Sequence, residues 1–174
     1  MTRKKKKEED TICIEKILWD SADIRKSYQT IIEVLAHDIN KAIKEEGLKF
    51  DYICGVPRGG CIPAVHLSHH LGIPYKDYSD EEIYVNNVLF VEDIVHSGES
   101  VKDLILEHPV LVNKLVCLVK NELSSDNKMI WKYGIEVGKN VWTVFPWEIE
   151  PTIAQAIKVL KAHIKMKEDI PDEC

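Results

Sequence analysis

The sequence predicts an α/β protein: one doubly wound, mostly parallel sheet with helices on both faces, ending in a hairpin and a final helix. Three observations lead there. Apolar runs of strand length alternate with stretches of helical periodicity, the pattern of strands joined by helical crossovers. The run Val88-Leu89-Phe90-Val91 has no polar face, which suits a strand covered on both sides. Glycine and proline fall at most of the boundaries between these segments.

The elements follow in order. Asp20-Ser21 is a helix cap, and Ile24, Tyr28, Ile31, Ile32, Leu35, Ile39 and Ile43 recur at helical spacing until Gly47. Phe50 to Val56 is a short apolar strand ending in Pro57-Arg58-Gly59-Gly60. Pro63 near its start and Gly72 past its end frame a second helix. Ile73 to Tyr78 reads as a strand, closed by the acidic turn Ser79 to Glu82. The apolar run from Val88 comes next, then a helix from Ser100 to about Glu107 and a strand from Lys114 to Val119. Tyr133 to Val137 and Val141 to Phe145 flank Gly138-Lys139-Asn140 as a hairpin. After Pro146-Trp147-Glu148, a helix from about Pro151 to Lys167 places Ile153, Ile157, Leu160 and Ile164 on one face. Residues 1–10 read as a solvated, disordered basic and acidic terminus, 11–170 as a single domain, and 171–174 as a tail.

Composition narrows the class. A chain of 174 residues fills one core and little more. Its net charge of −6 argues against a nucleic-acid surface. No apolar segment approaches the ~18 residues that span a bilayer, and no apolar stretch follows the basic run Arg3 to Lys7 as a secretory signal requires. The five cysteines are odd in number and form no Cys-x-x-Cys pair; Cys13, Cys54 and Cys117 sit in apolar runs and read as core residues. A reduced, cytoplasmic setting is expected. His66, His69 and His70 share a helix face, but a zinc site needs a further convergent ligand, and sheet packing with exposed imidazoles accounts for the same spacing.

Chemistry concentrates in Val88-Leu89-Phe90-Val91-Glu92-Asp93-Ile94-Val95-His96-Ser97-Gly98-Glu99-Ser100. Two carboxylates sit where a buried strand emerges, and a glycine-containing turn opens a helix. Backbone N–H groups in such a turn converge on an anion, helped by the helix dipole. The carboxylates suit hydroxyl groups or a hard cation beside that anion. A sugar phosphate offers both partners. The earlier loop adds Gly59 and Gly60, where backbone can approach an anion closely, and the planar donor fork of Arg58. Ligands of doubly wound sheets lie beyond the carboxyl ends of the strands, where these two loops meet.

These residues resemble the signature of type I phosphoribosyltransferases, which bind 5-phosphoribosyl 1-diphosphate. Ser97 stands where that family usually has Thr, and His96 where it has Asp. Asp51 to Tyr75 is similar to the family's pyrophosphate-loop segment, in which the resemblance implies a cis peptide between Pro57 and Arg58. Trp142-Thr143-Val144-Phe145-Pro146-Trp147-Glu148 resembles the purine-binding segment of xanthine–guanine phosphoribosyltransferases.

The resemblance implies an Mg²⁺-dependent enzyme of purine salvage acting on guanine, xanthine or hypoxanthine. Arg58, Gly59 and Gly60 then bind pyrophosphate, and the backbone from His96 through Ser97, Gly98 and Glu99 to Ser100 binds the 5′-phosphate. Glu92 and Asp93 serve the ribose hydroxyls and the metal, directly or through water. Lys120 donates to the purine 6-oxo oxygen, Trp142 stacks on the base, and the Thr143 carbonyl meets its 2-substituent. His96 replaces the acid that handles the proton at purine N7. The connection from Pro74 to Asn87 is short for the mobile flap of such enzymes, so a partner subunit or the Asp77 to Tyr84 turn is expected to cover the site. Small-molecule substrates and a homodimer or higher homo-oligomer are expected; nucleic acid and membrane are not. Two rivals are a non-catalytic regulatory protein that binds phosphoribosyl diphosphate, and a transferase for a different nitrogen base.

Overall fold

Ser27, not Asp20-Ser21, caps the first long helix in the computed structural model, which describes residues 12–23, 26–98, 102, 104, 114–124, 130–149, 155 and 158–162. The Ser27 side chain accepts a hydrogen bond from Thr30 N at 3.3 Å, and helix α1 runs Tyr28–Glu46. The helix starts late because the preceding chain closes on itself. Leu18 N–H donates to the Lys26 carbonyl, and Tyr28 N–H donates to the Leu18 carbonyl at 2.6 Å. Tyr28, Ile31, Ile32, Leu35, Ala36, Ile39 and Ala42 form its buried stripe. Gly47, at φ 66°, ends it in the left-handed conformation that only glycine adopts cheaply.

Five parallel strands form the main sheet. In chain order they are β2 (Tyr52–Gly55), β3 (Tyr75–Lys76), β4 (Val88–Val95), β5 (Lys114–Asn121) and β6 (Ile130–Val137); their spatial order is β3-β2-β4-β5-β6. Strand β1 (Cys13–Lys16) lies apart. Helices α1 and α2 (Cys61–Leu71) cover one face, packing on Ile53, Leu89, Val91, Val116 and Leu118. On the other face Cys54, Phe90, Leu115 and Cys117 meet Ile83 and Leu104. Both faces of β4 and β5 are therefore sealed, which explains their continuous apolar runs.

The expected hairpin is not formed. The segments around Gly138-Lys139-Asn140 are extended, but β6 belongs to the main sheet while β7 (Val141–Val144) pairs in parallel with β1, Cys13 opposite Val141 and Lys16 opposite Val144. Val144 and Phe145 are buried at the end of this small sheet. Cys13 is exposed on this small sheet, contrary to its expected place in the core, whereas Cys54 and Cys117 are buried. The strand expected over 73–78 shrinks to a two-residue edge, β3. The expected helices over 100–107 and 151–167 are helical at Lys102, Leu104, Gln155 and Lys158–Ala162; their other positions lie outside the described residues, as do 1–10 and 171–174.

Asp77 to Tyr84 is pinned down rather than poised as a cover. Lys76 Nζ bonds Asp80 Oδ2 at 2.9 Å, Tyr52 Oη donates to Glu82 Oε2 at 2.7 Å, and Ile83 is buried in the sheet's second face. No described helix is long and apolar enough to cross a membrane.

Candidate functional site

The register of β2 on β4 sets Gly55 beside Val91, one residue before the acidic pair. From there residues 56–60 turn sharply into α2. Val56 N–H donates to the Val91 carbonyl at 2.8 Å, and Gly60 N–H returns to the Val56 carbonyl at 3.0 Å. The Pro57–Arg58 peptide is cis, at the position the resemblance implies. The two glycines are there for want of space. A Cβ on Gly60 would lie 2.1 Å from the Val91 carbonyl oxygen, and one on Gly59 would lie 1.9 Å from Asp93 Oδ2.

Arg58, Gly59 and Asp93 line one cavity of about 700 Å³, together with Ile62, Trp147, Glu148 and Ile149. The acidic pair is not at the end of its strand. Glu92 and Asp93 lie within β4, each only 7% exposed. Asp93 N–H donates to Glu92 Oε1 at 3.1 Å, and Ile94 N–H donates to Asp93 Oδ1 at 2.7 Å. Burial, then the charge of Asp93, pushes Glu92 far above the usual carboxylate range. Burial also raises Asp93, against the pull of hydrogen bonds from Glu92 and the Ile94 N–H. Burial thus pushes both carboxyls toward the protonated form, and Asp93 is the member that lines the cavity.

The pair costs stability. A carboxyl whose folded pKa is raised loses stability as pH climbs from its unfolded value, 4.5 for Glu92, through the folded one. Glu92→Gln keeps an acceptor for the Asp93 N–H and removes the titrating charge. It is expected to stabilise the ligand-free protein at about pH 8 by roughly 1–3 kcal/mol, several degrees in Tm, with little gain at about pH 5. Thermal melts of both proteins at the two pH values check this; a lower Tm for Glu92→Gln at both would show that the charge is not the cost.

Trp147 and Glu148 are the wall residues that sequence reasoning left unassigned. Trp147 stacks on Phe145 at 4.9 Å and meets Tyr28 edge-on at 5.3 Å, which anchors the segment to α1. Its indole N–H is turned toward Asp93 but falls short of a formed hydrogen bond. Glu148 accepts from Phe145 N at 2.9 Å, yet burial and the Asp93 charge still raise it. Asp93 and Glu148 thus share a cavity whose described cation is Arg58. The place of Trp147 and Glu148 at the end of the Trp142 to Glu148 segment was the available signal.

The second loop follows β4. Gly98 is buried with φ +82°, and its carbonyl accepts from Lys102 N at 3.0 Å, the first turn of the helix beyond. His96 and Ser97 precede it, half-buried; Glu99 and Ser100 lie outside the described residues. The His96 ring stacks on Trp142, centroids 5.8 Å apart and 28° between planes.

Lys120 is next to this loop. Val95 pairs with Lys120, and Lys120 with Glu136, in one row across β4, β5 and β6. The Lys120 side chain is only 13% exposed, with Nζ 3.5 Å from Glu136 Oε2 and 4.8 Å from the Tyr133 ring centre. On β7, Cys13 N–H bonds the Asn140 carbonyl and Ile17 N–H the Val144 carbonyl. By strand alternation the Thr143 carbonyl faces the other edge, away from β1.

Geometry therefore brings Arg58, Gly59 and Asp93 to one cavity, and His96, Lys120 and Trp142 to the neighbouring strand ends. Among the described residues no three His, Cys, Asp or Glu side chains converge to cage a metal ion, the three histidines of α2 included. A crowded carboxylate that must share its cation with ligand oxygens is, however, the usual mode of Mg²⁺ binding, so the residues present fit that ion.

Known proteins resemble this chain in sequence and fold. No family model matches the chain. An orotate phosphoribosyltransferase of Bartonella quintana (strain Toulouse) is 36% identical over 81 residues, 41% of each chain, so this chain spans about two fifths of that relative's length. A xanthine-guanine phosphoribosyltransferase of Vibrio parahaemolyticus is 25% identical over 122 residues, 60% of this chain and 77% of the relative. The crystal structure of a purine phosphoribosyltransferase from Pyrococcus horikoshii matches with a TM-score of 0.62 and 28% identity, covering 83% of this chain and 99% of that one. These relatives are phosphoribosyltransferases, and the chain is similar to them in sequence and, for the Pyrococcus horikoshii protein, in fold.

Proposed function

We propose that this protein transfers ribose 5-phosphate from 5-phosphoribosyl 1-diphosphate to a 6-oxopurine, forming a nucleoside 5′-monophosphate and releasing pyrophosphate. One observation carries the reading. Lys120 pairs with Val95, the residue before His96, and Trp142 stacks on His96, so a lysine donor and an aromatic face stand at the end of the strand that also carries Asp93. Arg58 and the 57–60 backbone hold the pyrophosphate, while the N–H groups and hydroxyl of the 96–98 turn hold the 5′-phosphate. Asp93, set by the Ile94 N–H, meets the ribose hydroxyls and stabilises positive charge that develops on the ring. Asp93, with Glu92 behind it, would hold Mg²⁺, which when bound would supply charge neutralisation for the leaving pyrophosphate.

Base choice rests on Lys120, a donor that suits an oxo acceptor and rejects an amino group. Trp142 supplies a stacking face worth roughly 1–3 kcal/mol. The purine phosphoribosyltransferase likeness supports this base class, and salvage of free purines is the matching purpose. A pyrophosphate-release assay with a panel of nucleobases tests it. Guanine, xanthine or hypoxanthine should be used well and adenine poorly, and Lys120→Met should cut kcat/KM for the 6-oxopurine by roughly 10–100-fold, as for a lost charged hydrogen bond. Adenine or orotate as the best substrate would overturn the assignment.

One observation favours a second reading. The His96 ring covers a face of Trp142 on which a base would lie. A regulatory protein that binds phosphoribosyl diphosphate without turning it over keeps the phosphate loops and tolerates a filled base pocket. Tight binding of phosphoribosyl diphosphate with no turnover of any base would select it.

A further inference from the structure

We infer that Glu136 is a positioning residue that, with Tyr133, holds the Lys120 ammonium at the base pocket and so sets the selectivity for 6-oxopurines. The inference rests on the reading of Lys120 as the base donor and extends it to residues outside the motifs. Glu136 is the register partner of Lys120 on the edge strand β6, so both side chains leave the sheet on the same face. Its Oε2 is 3.5 Å from Lys120 Nζ and also accepts from Tyr133 Oη at 3.3 Å. The Tyr133 ring lies under the same ammonium, 4.8 Å from its centre. One carboxylate oxygen and one aromatic face thus engage two sides of Nζ.

This matters because a lysine is a point charge on a flexible stem, and much of its donor strength is lost if the stem wanders. Lys120 is the penultimate residue of β5, with its backbone fixed by pairing to Val95 and Glu136, so the contacts of its side chain decide where the ammonium sits. The carboxylate is itself set by the Tyr133 hydroxyl, so the ammonium is fixed at a chosen place before a base arrives. A preorganised donor binds its acceptor without an ordering cost. The pair adds little to the fold, because Glu136 is 40% exposed and exposed ion pairs stabilise weakly.

The test compares Glu136→Leu, Glu136→Gln and Lys120→Met with wild type, measuring KM and kcat for guanine, hypoxanthine and adenine, phosphoribosyl diphosphate affinity by calorimetry, and Tm. Glu136→Leu should raise KM for the 6-oxopurines by about tenfold and leave kcat within about twofold, the mark of lost binding that is equal in ground and transition states. Glu136→Gln, which still accepts from Tyr133, should fall between. Tm and phosphoribosyl diphosphate affinity should not move. In the Lys120→Met background Glu136→Leu should have no further effect, because its action passes through Lys120. An unchanged base KM in Glu136→Leu, an equal loss in the Lys120→Met background, or a parallel loss of diphosphate affinity would each overturn the inference while leaving the proposed function standing. Wild-type protein that uses no 6-oxopurine would overturn the proposed function, and this inference with it.

Discussion

Gly98→Val is expected to abolish binding of 5-phosphoribosyl 1-diphosphate. Gly98 has φ +82°, a region that a β-branched residue adopts only as an outlier, and it is buried. Its carbonyl accepts the Lys102 N–H, so the position also begins the following helix. Valine must either rotate φ to a negative value, which re-aims the N–H groups of the turn, or push its methyls into the space where a phosphate sits. Both routes empty the anion nest. The effect is confined to this turn, so the β2–α2 loop and the core should persist. Calorimetry should show no measurable heat with Gly98→Val, against clear binding by wild type in the absence of any base. Equal affinity in the two proteins would remove this turn from the site.

Much of the site was legible because its determinants are local. A continuous apolar run names a buried strand, two acids after it name a polar end, and Pro57-Arg58-Gly59-Gly60 names a tight turn. Their meeting follows from strand order alone, since β2 and β4 are neighbours in a parallel sheet. What escaped depends on distant residues. The stripe Ile24, Tyr28, Ile31 continues the helical period past Ser27, and nothing in that spacing shows that Leu18 closes on Lys26 and Tyr28. The 138–140 turn has hairpin chemistry, but β7 is taken by β1 from the far end of the chain, a pairing no local pattern encodes. The acids read as lying where the strand emerges and are instead buried within it, where Gly59, lacking a side chain, lets the loop close over Asp93. Trp147 carried no role of its own in the sequence, and in the structure it packs on Phe145 and Tyr28. It is also a wall of the cavity.

His96 decides between an enzyme and a binding protein, and its substitution carries the second large effect. The residue follows the last position of β4, beside the Val95–Lys120 pair, and its ring stacks on Trp142. An imidazole there can receive or supply the proton at purine N7 near neutral pH, but it brings no negative charge toward the ribose. If proton transfer is its work, His96→Ala should lower turnover of a 6-oxopurine by roughly 10²–10⁴-fold and remove a pH-dependent limb of kcat/KM in the range where imidazoles titrate. Phosphoribosyl diphosphate affinity should change little, since in the proposed site the turn binds phosphate through backbone groups. His96→Asp puts back the family's usual acid and clears the large ring from the face of Trp142; it should preserve or raise turnover. Two results would redraw the site. Normal turnover by His96→Ala would make the ring a bystander that yields its place to the base. A wild type inert toward every base, with activity appearing in His96→Asp, would mean that the imidazole plugs the base pocket and that the natural protein binds phosphoribosyl diphosphate without consuming it.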